Sequence, residues 1–190
     1  LAAGCEVGCV GSVSELRDIA GEVEFGERPA AIDLAVSEEG PDMSDLRGQP
    51  HLRSSLEVAA AGGHSVLMIG PPGSGKSLAA RRLPSILPPL SGGEVLEVAR
   101  IAGACGASGY RIASKRPFRA PHHTVSAAGL VGGGNPLRPG EITLAHRGVL
   151  FLDELCEFRR DALEALREPL ESGEVALARA NSRQVLPARI

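Results

Sequence analysis

Hydrophobic and polar positions change period several times along the chain. Ser12 and Glu15 stand at capping-box spacing, Val13, Leu16, Ile19 and Ala20 follow on one helical face, and Gly21 supplies a stop. Ala31 to Val36 reads as a strand. Residues 37–47 break the pattern with Ser37-Glu38-Glu39-Gly40-Pro41-Asp42 and then Met43 to Arg47, a polar, acidic, Gly/Pro-bearing linker. Pro50 to Ala61 places Leu52, Leu56, Ala59 and Ala60 on one helical face, closed by Gly62-Gly63. Ser65-Val66-Leu67-Met68-Ile69 has no polar alternation, as expected of a strand buried on both faces. Gly75 to Leu87 reads as a helix ended by Pro88-Pro89, and Ser91 with Glu94 caps another that carries Val95, Leu96, Val98, Ala99, Ile101 and Ala102.

Residues 106–147 are rich in Gly, Pro and Arg and keep no period. Gly148 to Asp153 is a second apolar strand. Arg159 to Ser172 is an amphipathic helix with Leu163, Leu166 and Leu170, notched by Pro169 and stopped by Gly173. Glu174 to Ile190 alternates around a turn at 180–182 and reads as a hairpin. Strands alternating with helices predict an α/β protein with a parallel sheet covered by flanking helices. Residues 1–36 hold too few apolar positions for a core of their own and read as the tail of a larger domain; 37–47 is the connection, and 48–190 the main unit.

Composition narrows the class. The chain has 190 residues, 43% hydrophobic and 23% charged, with a formal net charge of -3. That balance excludes a uniformly basic nucleic-acid-binding domain but leaves room for a local basic face. No apolar run approaches the roughly 20 residues that span a bilayer, so no membrane partner is expected. Cys5, Cys9, Cys105 and Cys156 form no CxxC pair and read as scattered reduced thiols, with a cytoplasmic location as the default.

The strongest chemical signal is Gly70-Pro71-Pro72-Gly73-Ser74-Gly75-Lys76-Ser77, which satisfies G-x-x-x-x-G-K-[ST] between an apolar run and a predicted helix. Glycines let backbone N–H groups turn towards phosphate oxygens. Lys76 reaches the β- and γ-phosphates, and the Ser77 hydroxyl is offered to Mg²⁺. Gly70 to Ser77, with Leu78 next in the helix, form the candidate nucleotide-binding set, and ATP with Mg²⁺ the expected ligands. Asp153-Glu154 ends the second apolar strand. There Asp153 is the candidate metal carboxylate and Glu154 the candidate to orient or deprotonate a water, with Lys76 and Glu154 as the catalytic pair.

The residues around these motifs carry a resemblance. Asp45-Leu46-Arg47-Gly48-Gln49, Ala59 to His64, the phosphate loop, Arg116-Pro117-Phe118-Arg119-Ala120-Pro121-His122-His123-Thr124, Gly132 to Pro136, Arg138 to Ile142, Leu144-Ala145-His146, Gly148 to Glu154 and Leu166 to Glu171 form one long string. It closely resembles the bacterial magnesium chelatase-like AAA+ ATPases of the YifB/ComM type over nearly all of 45–190. Residues 1–36 are similar to the end of the Lon-protease-like (S5-like) α/β domain that precedes the ATPase in that family. The resemblance implies a P-loop NTPase fold and a hexameric ring with sites between subunits. It also implies a motor acting on DNA, as in the branch-migration motors of natural transformation, and puts Gly48 and Gln49 near the adenine. In the family the sensor strand, arginine finger and helical lid come after the position of Arg189, so the 190 residues alone are expected to turn over ATP poorly. Two alternatives share the loop: a chelatase-type subunit that remodels a protein partner, and a nucleotide-binding piece without turnover.

Three further clusters remain open on sequence grounds. Arg111, Lys115, Arg116 and Arg119 surround Tyr110 and Phe118, which suits either contact with nucleic acid or an ordered loop packed at a subunit interface. His122-His123 suits hydrogen-bonded structural imidazoles better than metal ligation, since neighbours in extended chain point apart and no carboxylate or Cys stands at helpful spacing. Arg179 and Arg183 flank the predicted hairpin turn, either touching nucleic acid or simply solvated.

Overall fold

The computed structural model describes residues 40–105, 115–134, 137–179 and 182–190. The helix and strand expected within 1–36, the aromatic Tyr110 with Arg111, and the residues 180–181 at the hairpin turn lie outside the described residues, as do Cys5 and Cys9.

The segment read as a connection is anchored at its end. Asp42 caps a short 3-10 turn, Met43–Asp45, by accepting from the Ser44 N–H at 2.7 Å, and Asp45 reaches back to the Asp42 N–H. Met43 and Leu46 are buried with Leu56 and Ala79 in a small core, and Met43 N–H donates to Ser85 Oγ. Two apolar side chains in an otherwise polar stretch outweigh its linker composition.

Helix α1, Pro50–Gly62, begins with Pro at its first position, where the missing N–H costs nothing, and ends on Gly63 in the left-handed region. Leu56, Ala59 and Ala60 form its buried face as the spacing predicts. Truncating Leu56 would cost about 2–5 kcal/mol on the scale of buried Leu-to-Ala changes. Helix α2, Lys76–Arg82, is shorter than expected and passes into a 3-10 turn at Leu83–Ser85. Pro84 has no N–H to donate back to Ala80, so the α-helical ladder stops early. Helix α3, Gly92–Ala104, has its full capping box on Ser91 and Glu94.

The stretch without period holds elements too short to show one. Strand β1 is Phe118–Arg119, α4 is Ala127–Val131, β2 is Gly132–Gly133, β3 is Arg138–Pro139 and α5 is Glu141–Leu144. Strand β4, Val149–Leu150, pairs in parallel with β1, Phe118 opposite Val149 and Arg119 opposite Leu150. Gly148 is required here, because a Cβ would collide with the Pro117 backbone. The predicted helix after it divides into α6, Arg160–Ala165, and α7, Arg167–Ser172. Pro169 leaves the Ala165 carbonyl without its helical donor, which is the notch expected there. Strands β5, Glu174–Arg179, and β6, Ser182–Pro187, form the antiparallel hairpin. Its inner face, Val175 and Leu177, packs with Leu130, Ile142, Ala162, Leu166 and Ala188 in the main core.

One expectation is not met. Ser65 to Ile69 belongs to no strand, and Leu67 and Ile69 are 71% and 88% exposed. Val66 and Met68 help line an apolar cavity of about 280 Å³ that residues 148–152 also line. A doubly buried strand needs a hydrogen-bonded neighbour and cover on both faces. Among the described residues no segment pairs with this run, so its apolar character exceeds its burial.

Candidate functional site

The loop after Ile69 folds as its glycines require. Gly73 and Gly75 have φ of 77° and 86°, a region that side chains with a Cβ rarely occupy. Gly75 caps α2, so Lys76 and Ser77 open the helix directly beneath the turn. The Lys76 ammonium donates to the carbonyls of Gly70 at 2.7 Å and Pro71 at 2.9 Å and to Ser74 Oγ at 3.3 Å. Its charge is thereby held over the mouth of the loop. Leu78, on the next position, is half exposed.

The second motif meets the first. Ser77 Oγ donates to Asp153 Oδ2 at 2.8 Å, across 76 residues of sequence. Asp153 Oδ1 accepts from the Glu154 N–H at 3.0 Å, so both carboxylate oxygens are engaged. Phe151 N–H to the Arg119 carbonyl, 2.8 Å, extends the β1–β4 ladder towards these acids, and the Phe118 and Phe151 rings lie 6.1 Å apart. Glu154 has φ of 53°, unusual for a residue with a side chain, and its side chain is 68% exposed. A hydroxyl and a carboxylate this close are both hard oxygen donors, which suits Mg²⁺. Among the described residues no cluster of three or more His, Cys, Asp or Glu could hold a metal by protein ligands alone.

Gly48 and Gln49 both adopt left-handed backbone conformations ahead of α1. The Gln49 side-chain amide donates to the Ser74 carbonyl at 2.5 Å, and lies against Gly75. Gln49 therefore adjoins the phosphate loop, with Gly48 the residue before it.

The arginines divide. Arg116 donates to the Pro88 carbonyl at 2.6 Å and the Arg147 carbonyl at 2.8 Å. Arg119 makes a two-pronged pair with Glu141 at 2.6 and 2.8 Å. These bonds order the loop within the chain and weigh against nucleic-acid contact by both, since a guanidinium spent on protein acceptors has fewer donors left for phosphate. Arg183 stands exposed on β6, and Arg179 ends β5 opposite Ser182.

Sequence reasoning missed a network behind the site. His146, 2% exposed, accepts from the Arg189 N–H at Nδ1, 3.1 Å, which fixes Nε2–H as the donor to Glu97 at 3.0 Å. Glu97 also accepts from Arg147 Nε at 2.8 Å, and Glu94 pairs with Arg147 and Arg116. The Arg147 hydrogen bond, then that of His146, holds the Glu97 carboxyl down at about 2. Burial is the larger influence on His146 and lowers its pKa despite Glu97. Only the Leu144-Ala145-His146 string marked this region in sequence.

A glycine-turned loop with a helix-opening Lys-Ser, bonded to an Asp-Glu pair at the end of a parallel strand, defines a P-loop nucleotide-binding protein. The chain belongs to the magnesium chelatase-like family: residues 42–190 match the family described as "Magnesium chelatase, subunit ChlI". Within it the chain is of the YifB/ComM type. It is 51% identical over 164 residues to the YifB protein of Salmonella typhimurium, covering 86% of this chain and 32% of that protein. It is 49% identical over 149 residues to "Competence protein ComM" of Haemophilus influenzae, covering 78% and 29%. A Mycobacterium tuberculosis protein, Rv2897c, is 50% identical over 155 residues, 80% of this chain and 31% of that one. The chain thus spans about a third of the length of the curated relatives it matches. No described helix is long and apolar enough to cross a membrane.

Proposed function

We propose that this chain forms the ATP-binding and ATP-hydrolysing centre of a motor subunit that works on DNA. The observation that carries the ATP reading is the 2.8 Å bond between Ser77 and Asp153, which joins the phosphate loop to the acidic strand end. In this reading the backbone N–H groups from Gly73 to Ser77 receive the phosphates, since Pro71 and Pro72 have none to give, and Lys76 exchanges its loop oxygens for those of the β- and γ-phosphates. Ser77 and Asp153 are the residues that would hold Mg²⁺, which, when bound, neutralises charge on the β- and γ-phosphates. Glu154 orients a water and accepts its proton as the water oxygen bonds to the γ-phosphorus and the bond to the ADP oxygen breaks. Gly48 and Gln49 bound the nucleotide on the base side.

The DNA assignment is supported by kinship with the ComM type and by exposed Arg183 on the hairpin. A cytoplasmic hexameric ring, with sites between subunits, belongs to the same proposal. The test is Mg²⁺-dependent ATP hydrolysis by the full-length protein, alone and with single-stranded or branched DNA at one salt concentration. The proposal expects turnover that DNA stimulates. Stimulation only by a chelatase-type protein partner would instead indicate remodelling of that partner. Nucleotide binding without turnover under every condition would overturn the motor reading.

A further inference from the structure

Position 49 breaks the local rules for a helix start. The residue ahead of a helix is ordinarily a short Ser, Thr, Asp or Asn in extended backbone, with its side chain bonded to the helix's own N–H groups. Gln49 is long, its φ and ψ of 49° and 56° are left-handed, and its side chain makes no capping bond to α1. Its carbonyl still accepts from the Arg53 N–H at 3.2 Å, so the first turn of α1 holds its backbone in place. The side chain turns instead to the phosphate loop, where its amide donates to the Ser74 carbonyl. A strained residue whose amide serves another element marks a contact that α1 does not itself need.

The bond fixes a peptide plane. In a trans peptide the carbonyl and the N–H of the next residue point in opposite directions. Holding the Ser74 carbonyl towards Gln49 therefore aims the Gly75 N–H away from it. Gly75, at φ of 86°, has no side chain to restrain that peptide, and Gln49 Nε2 stands 3.6 Å from where its Cβ would be. The approach to Gln49 is anchored at the far end of α2, where Met43 is buried with Leu56 and Ala79 and its N–H donates to Ser85 Oγ. Lys76 steadies the loop through the Gly70 and Pro71 carbonyls. In the functional reading above those bonds are given up when the ammonium moves to phosphate, whereas the Gln49 bond is independent of that exchange.

We propose that the Gln49 side chain is a positioning residue for the phosphate loop: it sets the Ser74–Gly75 peptide so that the Gly75 N–H faces the bound phosphates. The inference rests on the ATP-binding reading above. It assigns the amide to the phosphates and leaves the Gly48–Gln49 backbone on the base side. A bond that holds the peptide before the nucleotide arrives removes an ordering cost from binding. The loop N–H groups hold the phosphates in ground state and transition state alike, so the effect falls on affinity and not on kcat.

The test measures displacement of a fluorescent ATP analogue from the full-length protein by ATP and by inorganic triphosphate, which offers phosphates without a base. Gln49→Glu sets an acceptor against the Ser74 carbonyl, and Gln49→Gly removes the amide while relieving the left-handed backbone. In both variants the affinities for ATP and for triphosphate are expected to fall by the same factor, about tenfold, the scale of one lost hydrogen bond. KM for ATP rises with them, and kcat stays within about twofold of wild type. The thermal midpoint of Gln49→Gly without nucleotide stays at or above the wild-type value. Three results overturn the proposal: unchanged ATP affinity in both variants, a fall for ATP with none for triphosphate, or a lowered midpoint in Gln49→Gly. The second would put the amide on the base, and the third would make the bond structural only. A wild-type protein that binds neither ligand removes the functional reading and this inference together. A binding wild type with indifferent variants removes the inference alone.

Discussion

Ser77 Oγ sits 2.8 Å from Asp153 Oδ2, with the hydroxyl on the first turn of α2 and the carboxylate just beyond β4. Neither residue is informative alone. Together they place an oxygen-rich corner beside the Lys76 ammonium, and the account of function grows from that corner.

Ser77→Ala removes the hydroxyl while leaving Lys76 and the loop turn. ATP binding measured with Mg²⁺ should weaken by about tenfold, the equivalent of about 1.4 kcal/mol. Binding of ATP in excess chelator should change much less. Equal weakening with and without Mg²⁺ would show that Ser77 acts only on the loop's shape.

Glu154→Gln keeps the size and loses the base. The expected outcome is ATP affinity close to wild type and a kcat lower by about 10²–10⁴-fold, the usual contribution of a general base. Single-turnover measurement with radiolabelled ATP checks it. Retention of a wild-type rate would move the base to another residue.

Acid should loosen the His146–Glu97–Arg147 network in two stages. The folded pKa of His146 lies below the ordinary imidazole value of about 6.5 because the ring is buried. On acidification the unfolded chain therefore takes up a proton that the folded one resists, and stability falls as pH drops below about 6.5. Glu97, lowered from 4.5 to about 2, contributes stability that is present above pH 4.5 and is lost as pH falls towards about 2. Urea unfolding between pH 8 and pH 3 should show both losses, and His146→Gln should flatten the first. A midpoint independent of pH across that range would contradict the burial of His146 as a neutral ring and the holding of Glu97 as a carboxylate.

How much of this was legible in sequence depends on element length. The Ser91–Glu94 capping box, the Gly63 stop and the phosphate loop are written in adjacent residues, and the structure forms them where expected. Elements of two to five residues in 118–144 leave no period to read, so β1 and its parallel partner emerge only from backbone pairing. The Ser77–Asp153 contact was implied by the motifs but not its geometry. The Glu97–His146 contact was invisible, because 49 residues separate partners that no local spacing links. The run 65–69 shows the reverse limit: apolar composition predicts a buried strand, yet pairing requires a neighbour that the run does not itself encode.

The two pairs of arginines should separate by assay. Arg119→Ala breaks the bond to Glu141 and should lower stability by about 1 kcal/mol, given that both side chains are partly exposed. Arg179→Glu with Arg183→Glu should instead weaken DNA binding by the full-length protein at all sequences and flatten its salt dependence. Unchanged DNA affinity at matched salt would remove the hairpin from the DNA interface.

The central claim is that the loop at 70–77 and the acids at 153–154 form one Mg²⁺-dependent hydrolytic centre. The most direct measurement is the steady-state ATPase rate of the full-length protein against Asp153→Asn, titrated with Mg²⁺. The account predicts Mg²⁺-dependent turnover in the wild type, and in the variant a rate at least about tenfold lower whose Mg²⁺ requirement shifts to higher concentration. Equal rates and equal Mg²⁺ dependence in the two proteins would contradict it.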